Sequence, residues 1–310
     1  MTAIEAVSVY LPPARVPIRD LAERLGLTDR QVRMFVRYYG LSEVRLEPGG
    51  TLTDLLTAAA GRLDVLPGQE HRVRYVLQAR TMDSGVPYPE NPLHEVRDAF
   101  GLGHATAFTV TQHACASGLL ALDMAGRLLA DDGDPDALAL VFAGEKAFTP
   151  TVQLIPATTV MGEGTVCVVV RPGGGRDRLL SYATRTYGRF HGGLFLSPEL
   201  AQEFETVYVD ALVEVMTAAL DRAGLGWAQL DLLLPHNVNR LSWARLCEAV
   251  NFPVERVLLD NVPVTGHCFG ADTFINYATA VELGRLRPGD RYLMAAVGLG
   301  ATFSAMVFEH

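Results

Sequence analysis

The chain has 310 residues, of which 49% are hydrophobic and 20% are charged, and this composition indicates a globular protein with a large core. Its formal net charge of -9 argues against a nucleic-acid-binding protein, which normally carries a basic stripe. The N-terminal residues are not typical of a signal peptide, and no apolar run reaches the roughly 18 residues of a membrane span. We therefore expect a cytoplasmic protein with no nucleic-acid or membrane partner.

The four cysteines are Cys115, Cys167, Cys247 and Cys268. They lie far apart in the sequence, and none belongs to a C-x-x-C pair. This spacing predicts neither a zinc site nor a disulfide framework, so we expect no bound metal and a reducing compartment.

Strand-like and helix-like segments alternate along the chain, which predicts an α/β protein with a largely buried sheet. In the first part we predict a helix in "ACASGLLALDMAGRLLA" and strands in "AFTVT", "ALALVFAG" and "GEGTVCVVV". The segment "RPGGGRDR", residues 171–178, is typical of a turn. We place a boundary there, which gives an N-terminal half of residues 1–171 and a C-terminal half of residues 172–310.

The second half repeats the order of the first. We predict a helix in "GHCFGADTFINYATAVELGRL" and strands in "RVLLDNV", "RYLMAAVGLG" and "TFSAMVFEH". When the halves are aligned, Cys115 falls opposite the stretch 266–268, and both lie where a strand passes into an apolar helix. A duplicated unit of this kind would bring two reactive side chains to one interface.

Cys115 lies between small residues in "TQHACASGLL", at the start of a helix that is apolar on most of its circumference. Such a helix is buried, so its first turn opens into the interior or into a pocket. The free N–H groups and the positive dipole end of a helix start favour a thiolate, and the small neighbours leave room for a substrate. The alternative is a small packing residue, which is a common role of free cysteine.

Two histidines are placed to assist a nucleophile: His236 follows an apolar strand and a proline, and His267 lies in the counterpart of the Cys115 region. Either could also be an ordinary histidine that is satisfied by nearby backbone groups. Asn239 could direct its amide toward a thioester carbonyl or cap the next helix. In "VGLGATFS", the N–H of Gly300 together with that of Cys115 could hold an oxyanion, or the glycines could form only a tight hairpin.

Five segments in the correct order resemble the thiolase superfamily, and within it the initiating ketosynthases, the β-ketoacyl-acyl carrier protein synthase III family. "VSVYLPPARVPIRDLAERLGL" is similar to the family's first strand and helix, "ACASG" to its nucleophile motif, and "MGEGTVCVVV" to its "FGDGAGA" strand. "PHNVN" is similar to the "HQAN" histidine motif, and "AAVGLGATFSAMV" to the C-terminal glycine turn. The resemblance covers nearly the whole chain and implies a duplicated, five-layered αβαβα fold with mixed sheets, in a homodimer.

The resemblance also implies ping-pong chemistry. Cys115 would take an acyl group from a coenzyme A or carrier-protein thioester, and a second substrate would then take it from the enzyme. His236 would polarise the second thioester or transfer protons. The family needs no metal and no permanently bound cofactor, so acyl-CoA or acyl-carrier protein would act as a co-substrate.

Two positions depart from the family pattern. His267 in "GHC" replaces the asparagine of the "GN" motif, which is compatible with decarboxylative condensation and also with a general base for an alcohol or amine acceptor. Met34 occupies the position of the tryptophan that stacks on the adenine of coenzyme A, and Tyr38 that of the neighbouring arginine. Recognition of free coenzyme A is therefore in question.

Arginines recur at helical spacing around those two positions, at Arg30, Arg33 and Arg37. Together with Arg240, which follows the histidine motif, they could contact an acidic carrier protein. The alternative is a solvated helix face.

We therefore expect a ketosynthase III-like acyltransferase that moves an acyl group from a thioester, through a Cys115 acyl-enzyme, to an acceptor in polyketide-type specialised metabolism or fatty-acid biosynthesis. The alternative is decarboxylative Claisen condensation of the acyl-enzyme with a malonyl thioester. A non-catalytic partner subunit is the third hypothesis, and the presence of Cys115 and His236 argues against it.

Overall fold

The structure is a computed structural model that describes residues 1–82, 86 and 89–310. Strands and helices are numbered in chain order. The strands are β1 Thr2–Tyr10, β2 Ala14–Pro17, β3 Glu43–Leu46, β4 Val73–Ala79, β5 Thr106–Val110, β6 Leu138–Ala143, β7 Leu154–Ile155, β8 Thr159–Val160, β9 Thr165–Pro172, β10 Arg178–Thr186, β11 Leu232–Pro235, β12 Arg291–Gly298 and β13 Thr302–Glu309. The α-helices are α1 Ala22–Leu25, α2 Asp29–Met34, α3 Leu52–Ala60, α4 Pro92–Ala99, α5 Ser117–Asp132, α6 Pro150–Gln153, α7 Pro198–Arg222, α8 Arg240–Val250, α9 Val262–Thr265 and α10 Asp272–Glu282.

Within the described residues, nine strands form one mixed sheet in the order β11-β12-β13-β10-β1-β9-β6-β4-β5. β4 pairs in parallel with β5 and β6, and β11 pairs in parallel with β12. The remaining neighbours are antiparallel. β1 and β10 are joined through a single register pair, Ala3 with Arg178, so the sheet consists of two strand sets that meet at this seam.

The two strand sets have the same topology. In the first, the spatial order β5-β4-β6-β9-β1 corresponds to 3-2-4-5-1 in chain order. In the second, a parallel bridge between Leu233 and Val257 adds a third position, and the order Val257-β11-β12-β13-β10 is again 3-2-4-5-1. The repetition that the sequence predicts is therefore present in the strand order, with the same parallel and antiparallel pairs.

One predicted strand is wrong in form. "RVLLDNV" occupies the place of the third strand of its set, but it pairs only through Val257, and Leu258 N–H donates to Leu233 O at 2.9 Å. The segment then leaves the sheet, because the carbonyl of Asn261 accepts from Val264 and Thr265 and begins α9.

Helices and strand sets stack in five layers. α3 and α4 cover the outer face of the first set, α5 and α10 lie in the centre, and α7 covers the outer face of the second set with α8 packed beside it. Three buried apolar clusters fill the spaces between the layers, and the one around α5 and α10 contains Leu122, Phe274 and Met294. This arrangement is the predicted αβαβα architecture.

The two central helices meet where the site is built. A Cβ atom on Gly118 of α5 would lie 2.5 Å from the carbonyl oxygen of Gly270, so only glycine allows this approach. Each helix is preceded by one 3-10 turn, at Ala114–Ala116 and Phe269–Ala271, and each turn opens with a residue of positive φ, Ala114 at 45° and Phe269 at 55°. Cys115 thus corresponds to Gly270 and not, as the sequence predicted, to the stretch 266–268. His267 lies three residues before the true counterpart of Cys115.

The turn between β9 and β10 spans residues 173–177, within the predicted 171–178 segment. Among the described residues, no helix combines the length and apolar character that a membrane span needs.

Candidate active site

Cys115 lies in the 3-10 turn between β5 and α5 and is 3% exposed. Gln112 and Ala114 have φ angles of 72° and 45°, an uncommon conformation for residues with side chains. Such outliers cluster at functional sites, where the surrounding structure holds the strain. Here the strained turn fixes the sulfur at the first turn of a central helix, with the Thr81 hydroxyl 3.8 Å away.

His267 lies beside the sulfur and is held on both sides. Its backbone N–H donates to Val160 O at 3.1 Å, and its carbonyl accepts from Gly162 N–H at 2.9 Å, so residues 160–162 of the first half fix a histidine of the second half. The ring is 1% exposed, its Nδ1 is hydrogen-bonded to the Asp272 carboxylate, and the side chain is close enough to Cys115 to interact electrostatically with the sulfur. Cys115, His267 and Asp272 thus form a thiol–imidazole–carboxylate series.

Asp272 is the residue that orients His267. It is the first residue of α10 and is 1% exposed, and its carboxylate also accepts the backbone N–H groups of Cys268 at 2.7 Å and Asn237 at 2.5 Å. Burial lowers the pKa of His267, but the negative charges of Asp272 and Cys115 outweigh burial and raise that pKa to about 10. The imidazole is therefore poised to hold a proton beside the sulfur.

His236 faces the same cavity in a different state. Its backbone N–H donates to Ala295 O, and Trp243 Nε1–H donates to the His236 carbonyl, both at 2.9 Å. Its ring centroid is 5.8 Å from that of His267. Burial, together with the charge of His267, lowers the pKa of His236 to about 3, so this imidazole is neutral. Its Nε2 lies 3.3 Å from the hydroxyl of Tyr208.

The three predicted side chains Cys115, His236 and His267 line one cavity of about 520 Å³. Its walls come from α7, from α8, from the 155–158 loop and from residues 297–301, so both halves contribute. Much of the lining is apolar, and includes Ile155, Phe190, Leu196, Phe204 and Leu241. In the described residues, no cluster of three or more His, Cys, Asp or Glu side chains is placed to hold a metal.

Asn239 and Gly300 also line this cavity. The Asn239 side chain accepts Ser242 N–H at 2.8 Å and donates to Thr158 O at 3.1 Å, so it caps α8, the second of the two roles that the sequence allowed. The Asn239 NH₂ group has a second N–H, and its role at a substrate carbonyl stays a prediction. Gly300 has a φ of 88° in the turn between β12 and β13, and its role at an oxyanion stays a prediction.

The predicted arginine group lies on two segments whose residues Tyr39 and Asn239 line the cavity. Arg30 and Arg33 are exposed on α2, and Arg37 is exposed on the π-helical segment that continues it to Tyr39. Arg240 at the start of α8 packs over Gly40, which follows that segment. Among the ion pairs of the described residues, none involves these four arginines. They form an unpaired basic surface, which we call the arginine surface, on an acidic protein.

Comparisons with known proteins show what this chain is similar to. Residues 220–310 match the family model described as 3-oxoacyl-[acyl-carrier-protein] synthase III, C terminal. The beta-ketoacyl-[acyl-carrier-protein] synthase III of Aquifex aeolicus is 25% identical over 320 residues, covering 100% of this chain and 99% of that protein. The enzyme of the same name from Rhizorhabdus wittichii is 26% identical over 320 residues, covering 97% of this chain and 96% of that protein.

Solved structures show the same fold. The 3-oxoacyl-[acyl-carrier-protein] synthase III of Aquifex aeolicus superposes with a TM-score of 0.83 at 22% identity, covering all of both chains. The acyltransferase ChlB3 superposes with a TM-score of 0.86 at 19% identity, covering 99% of this chain and 97% of the other. The chain is therefore similar to ketosynthase III proteins in sequence over its whole length and shares their fold.

Two residues of the site were not predicted from the sequence: Asp272, which lies behind His267, and Tyr208, which lines the cavity. Asp272 carries a signal that could have revealed it, because a carboxylate in the first turn of an otherwise apolar, buried helix needs a partner, and His267 lies five residues earlier. Tyr208 carries no such signal. It lies within the 25-residue helix α7, and only the packing of that helix places its hydroxyl at His236.

Proposed function

We propose that the protein is an acyltransferase that moves an acyl group from a thioester, through Cys115, to the hydroxyl or amine of an acceptor. The observation that carries this proposal is the buried series Cys115–His267–Asp272 at the wall of the cavity. The curated relatives, which are named beta-ketoacyl-[acyl-carrier-protein] synthase III, support the thioester as donor.

In the first half-reaction, the Cys115 thiolate attacks the thioester carbonyl of the donor. The carbon–sulfur bond of the donor breaks, and the departing thiolate takes the proton of the His267 imidazolium. The products are acyl-Cys115, the free donor thiol and a neutral His267. The N–H groups of Cys115 and Gly300 stabilise the tetrahedral oxyanion in this proposal.

The charge change at the sulfur prepares the second half-reaction. Acylation removes the negative charge of Cys115, which is one cause of the raised pKa of His267, so that pKa falls and the neutral imidazole becomes a base. His267 Nε2 takes the acceptor proton as the acceptor oxygen or nitrogen bonds to the acyl carbon. The Cys115–acyl bond then breaks, and the thiolate–imidazolium pair is restored with no further reactant.

Asp272 favours this reaction over decarboxylative condensation. An alcohol or amine must lose a proton as it attacks, and a carboxylate-backed imidazole supplies the base. Decarboxylation of a malonyl thioester generates its own carbanion and needs only hydrogen-bond donors for the enolate oxygen. Condensation is still the second candidate, because two imidazoles lie side by side in the cavity and the curated relatives carry the beta-ketoacyl synthase name.

We propose an acyl carrier protein as the partner at the arginine surface. These four arginines are exposed, and Tyr39 and Asn239 of the same segments line the cavity that contains Cys115. An acidic carrier that binds the arginine surface would insert its thioester arm into this cavity. The absence of a tryptophan at Met34 argues for a carrier protein over free coenzyme A as the preferred donor.

We also propose a homodimer, in which β5 pairs with β5 of a second copy. β5 is the end strand of the sheet and has β4 as its neighbour on one side. An exposed edge strand presents unpaired backbone groups that a second copy can satisfy. Light scattering that gives the mass of a single chain would contradict the dimer.

We propose, as a separate point, that each chain consists of two halves, residues 1–171 and residues 172–310.

The test of the function is a two-step assay. The protein is exposed to a panel of acyl thioesters, on coenzyme A and on carrier protein, and intact mass identifies the donor that loads Cys115. The loaded enzyme, freed of donor, then receives either alcohols and amines or malonyl carrier protein. Acyl transfer without carbon dioxide supports the proposal, and carbon dioxide with a β-ketoacyl product would favour condensation. Failure of every donor to load the wild-type protein would support a non-catalytic subunit.

A further inference from the structure

Tyr208 is a cavity residue that the reaction described above leaves unused. It lies on α7, and its hydroxyl is 3.3 Å from His236 Nε2. Its ring packs edge-on against Phe204 and Phe303, with both centroid distances 5.7 Å. The aromatic contacts hold the ring in place, so the hydroxyl has a fixed position beside His236.

Both members of this pair are neutral. Burial and the neighbouring charge of Cys115 raise the pKa of Tyr208, while burial and the charge of His267 lower that of His236 to about 3. The tyrosine therefore keeps its proton, and the histidine carries a single N–H.

The burial of His236 indicates where that N–H lies. Among the described residues, Nδ1 of His236 is buried and has no hydrogen-bond partner. A buried N–H without an acceptor is rarer and more costly than a lone pair without a donor. The proton thus belongs on Nε2, which donates to the Tyr208 oxygen and leaves the phenolic O–H free to donate into the cavity.

We propose that Tyr208 orients the acceptor hydroxyl or amine of the second half-reaction and selects it over a thioester carbonyl. This inference rests on the proposed acyl transfer. An acceptor hydroxyl can accept from Tyr208 O–H while it donates to His267 Nε2, which removes its proton. A thioester carbonyl only accepts, and the His236 N–H that would bind it is held by Tyr208. Tyr208 makes and breaks no covalent bond, and the proton goes to His267 as before.

The test compares wild type with Tyr208→Phe, which retains the ring and removes the hydroxyl. Each protein is loaded at Cys115 and freed of donor, and intact mass follows the loss of the acyl group to water and to ethanol as hydroxyl probes. We expect loading within about twofold of wild type, and transfer to both probes slower by about 3- to 10-fold, the effect of one lost neutral hydrogen bond. Tyr208→Gln, which restores a donor and an acceptor, should recover part of the rate.

A matched control is available in Tyr187→Phe. The Tyr187 ring packs against Phe303 at 5.6 Å, but its hydroxyl donates to the half-exposed carboxylate of Glu214 at 2.8 Å. This control should transfer at the wild-type rate.

Malonyl-N-acetylcysteamine thioester serves as the carbonyl probe. We expect carbon dioxide release from loaded Tyr208→Phe to equal or exceed that of wild type, so that the ratio of hydroxyl transfer to condensation falls about 3-fold or more. If Tyr208 had only a structural role, its replacement would slow both reactions together and lower the midpoint of thermal unfolding. We expect the midpoint of Tyr208→Phe to stay within about 2 °C of that of wild type. Wild-type transfer rates in Tyr208→Phe, or equal slowing of both reactions, would overturn the inference. A wild-type protein that never loads would instead contradict the proposed function itself.

Discussion

Replacing Asp272 with asparagine removes the charge behind His267 and keeps the shape of the side chain. The carboxylate accepts from three donors, namely His267 Nδ1 and the backbone N–H groups of Cys268 and Asn237. An amide accepts through one oxygen only and turns its NH₂ group toward another donor. His267 thus loses both its electrostatic support and the contact that fixes its tautomer.

The size of the effect follows from the pKa of His267, which is raised from 6.5 to about 10. At 1.36 kcal/mol per pKa unit, this difference corresponds to about 5 kcal/mol. Burial opposes this shift and Cys115 adds to it, so we assign to the carboxylate only the contribution of one charge-assisted hydrogen bond, about 2 to 3 kcal/mol, whose loss lowers the rate of acyl transfer roughly 30- to 150-fold.

The assay is single-turnover loss of the acyl group from loaded Cys115, followed by intact mass. Asp177→Asn is the matched control, because Asp177 is also 1% exposed and also accepts three hydrogen bonds. Its donors are His310 Nδ1 at 2.6 Å and the hydroxyls of Tyr277 at 2.6 Å and Tyr292 at 3.0 Å. Neither Asp177 nor these donors belong to the cavity lining of the described residues. Both variants should lose stability, and only Asp272→Asn should lose transfer rate. Transfer by folded Asp272→Asn within about twofold of wild type would refute the reasoning.

Three further predictions follow from charge. The loading rate of the nucleophile should hold across neutral pH and fall only as pH approaches 10, where His267 loses its proton; a rate profile from pH 6 to 11 that falls near pH 7 would contradict this. Burial raises the pKa of Glu145 from 4.5 to about 7, so the folded protein binds a proton that the unfolded chain releases between these pH values. The free energy of unfolding of wild type, relative to that of Glu145→Gln, should therefore fall by about 3 kcal/mol as pH rises from about 4.5 to 7, which denaturant unfolding measures. Charge reversal of Arg30, Arg33 and Arg37 to glutamate should weaken carrier-protein binding about tenfold or more at low salt and less at high salt, with loading from a small thioester unchanged, and salt-independent binding in calorimetry would argue against the arginine surface.

The sequence was sufficient for the layered fold and for the convergence of Cys115, His236 and His267. Cys115 follows β5 and His236 follows β11, each just before a helix, and such junctions meet at one edge when a unit is duplicated. His267 instead follows the short helix α9, in the segment that takes the place of the third strand of its set. The register within the junction was not predictable, because it depends on the 3-10 turns and on the positive φ angles of Ala114 and Phe269.

The hydrogen-bond partners of the histidines depend on tertiary contacts. Asp272 accepts hydrogen bonds from backbone N–H groups of two separate segments. Tyr208, on α7, contacts His236 although it lies 28 residues earlier in the sequence. Local periodicity places a residue on a face of its own helix, but it does not say which side chain of another element lies opposite. The capping role of Asn239 was one of the predicted alternatives, since an asparagine before a helical segment is typical of an N-cap.

The central claim is that Cys115 forms the acyl-enzyme with His267 as its partner. The most direct measurement is the intact mass of wild type and Cys115→Ala after exposure to the same acyl thioester panel. We predict that one donor adds a single acyl mass to wild type and that Cys115→Ala stays unmodified. An acyl adduct of the same mass and rate on Cys115→Ala would contradict the account.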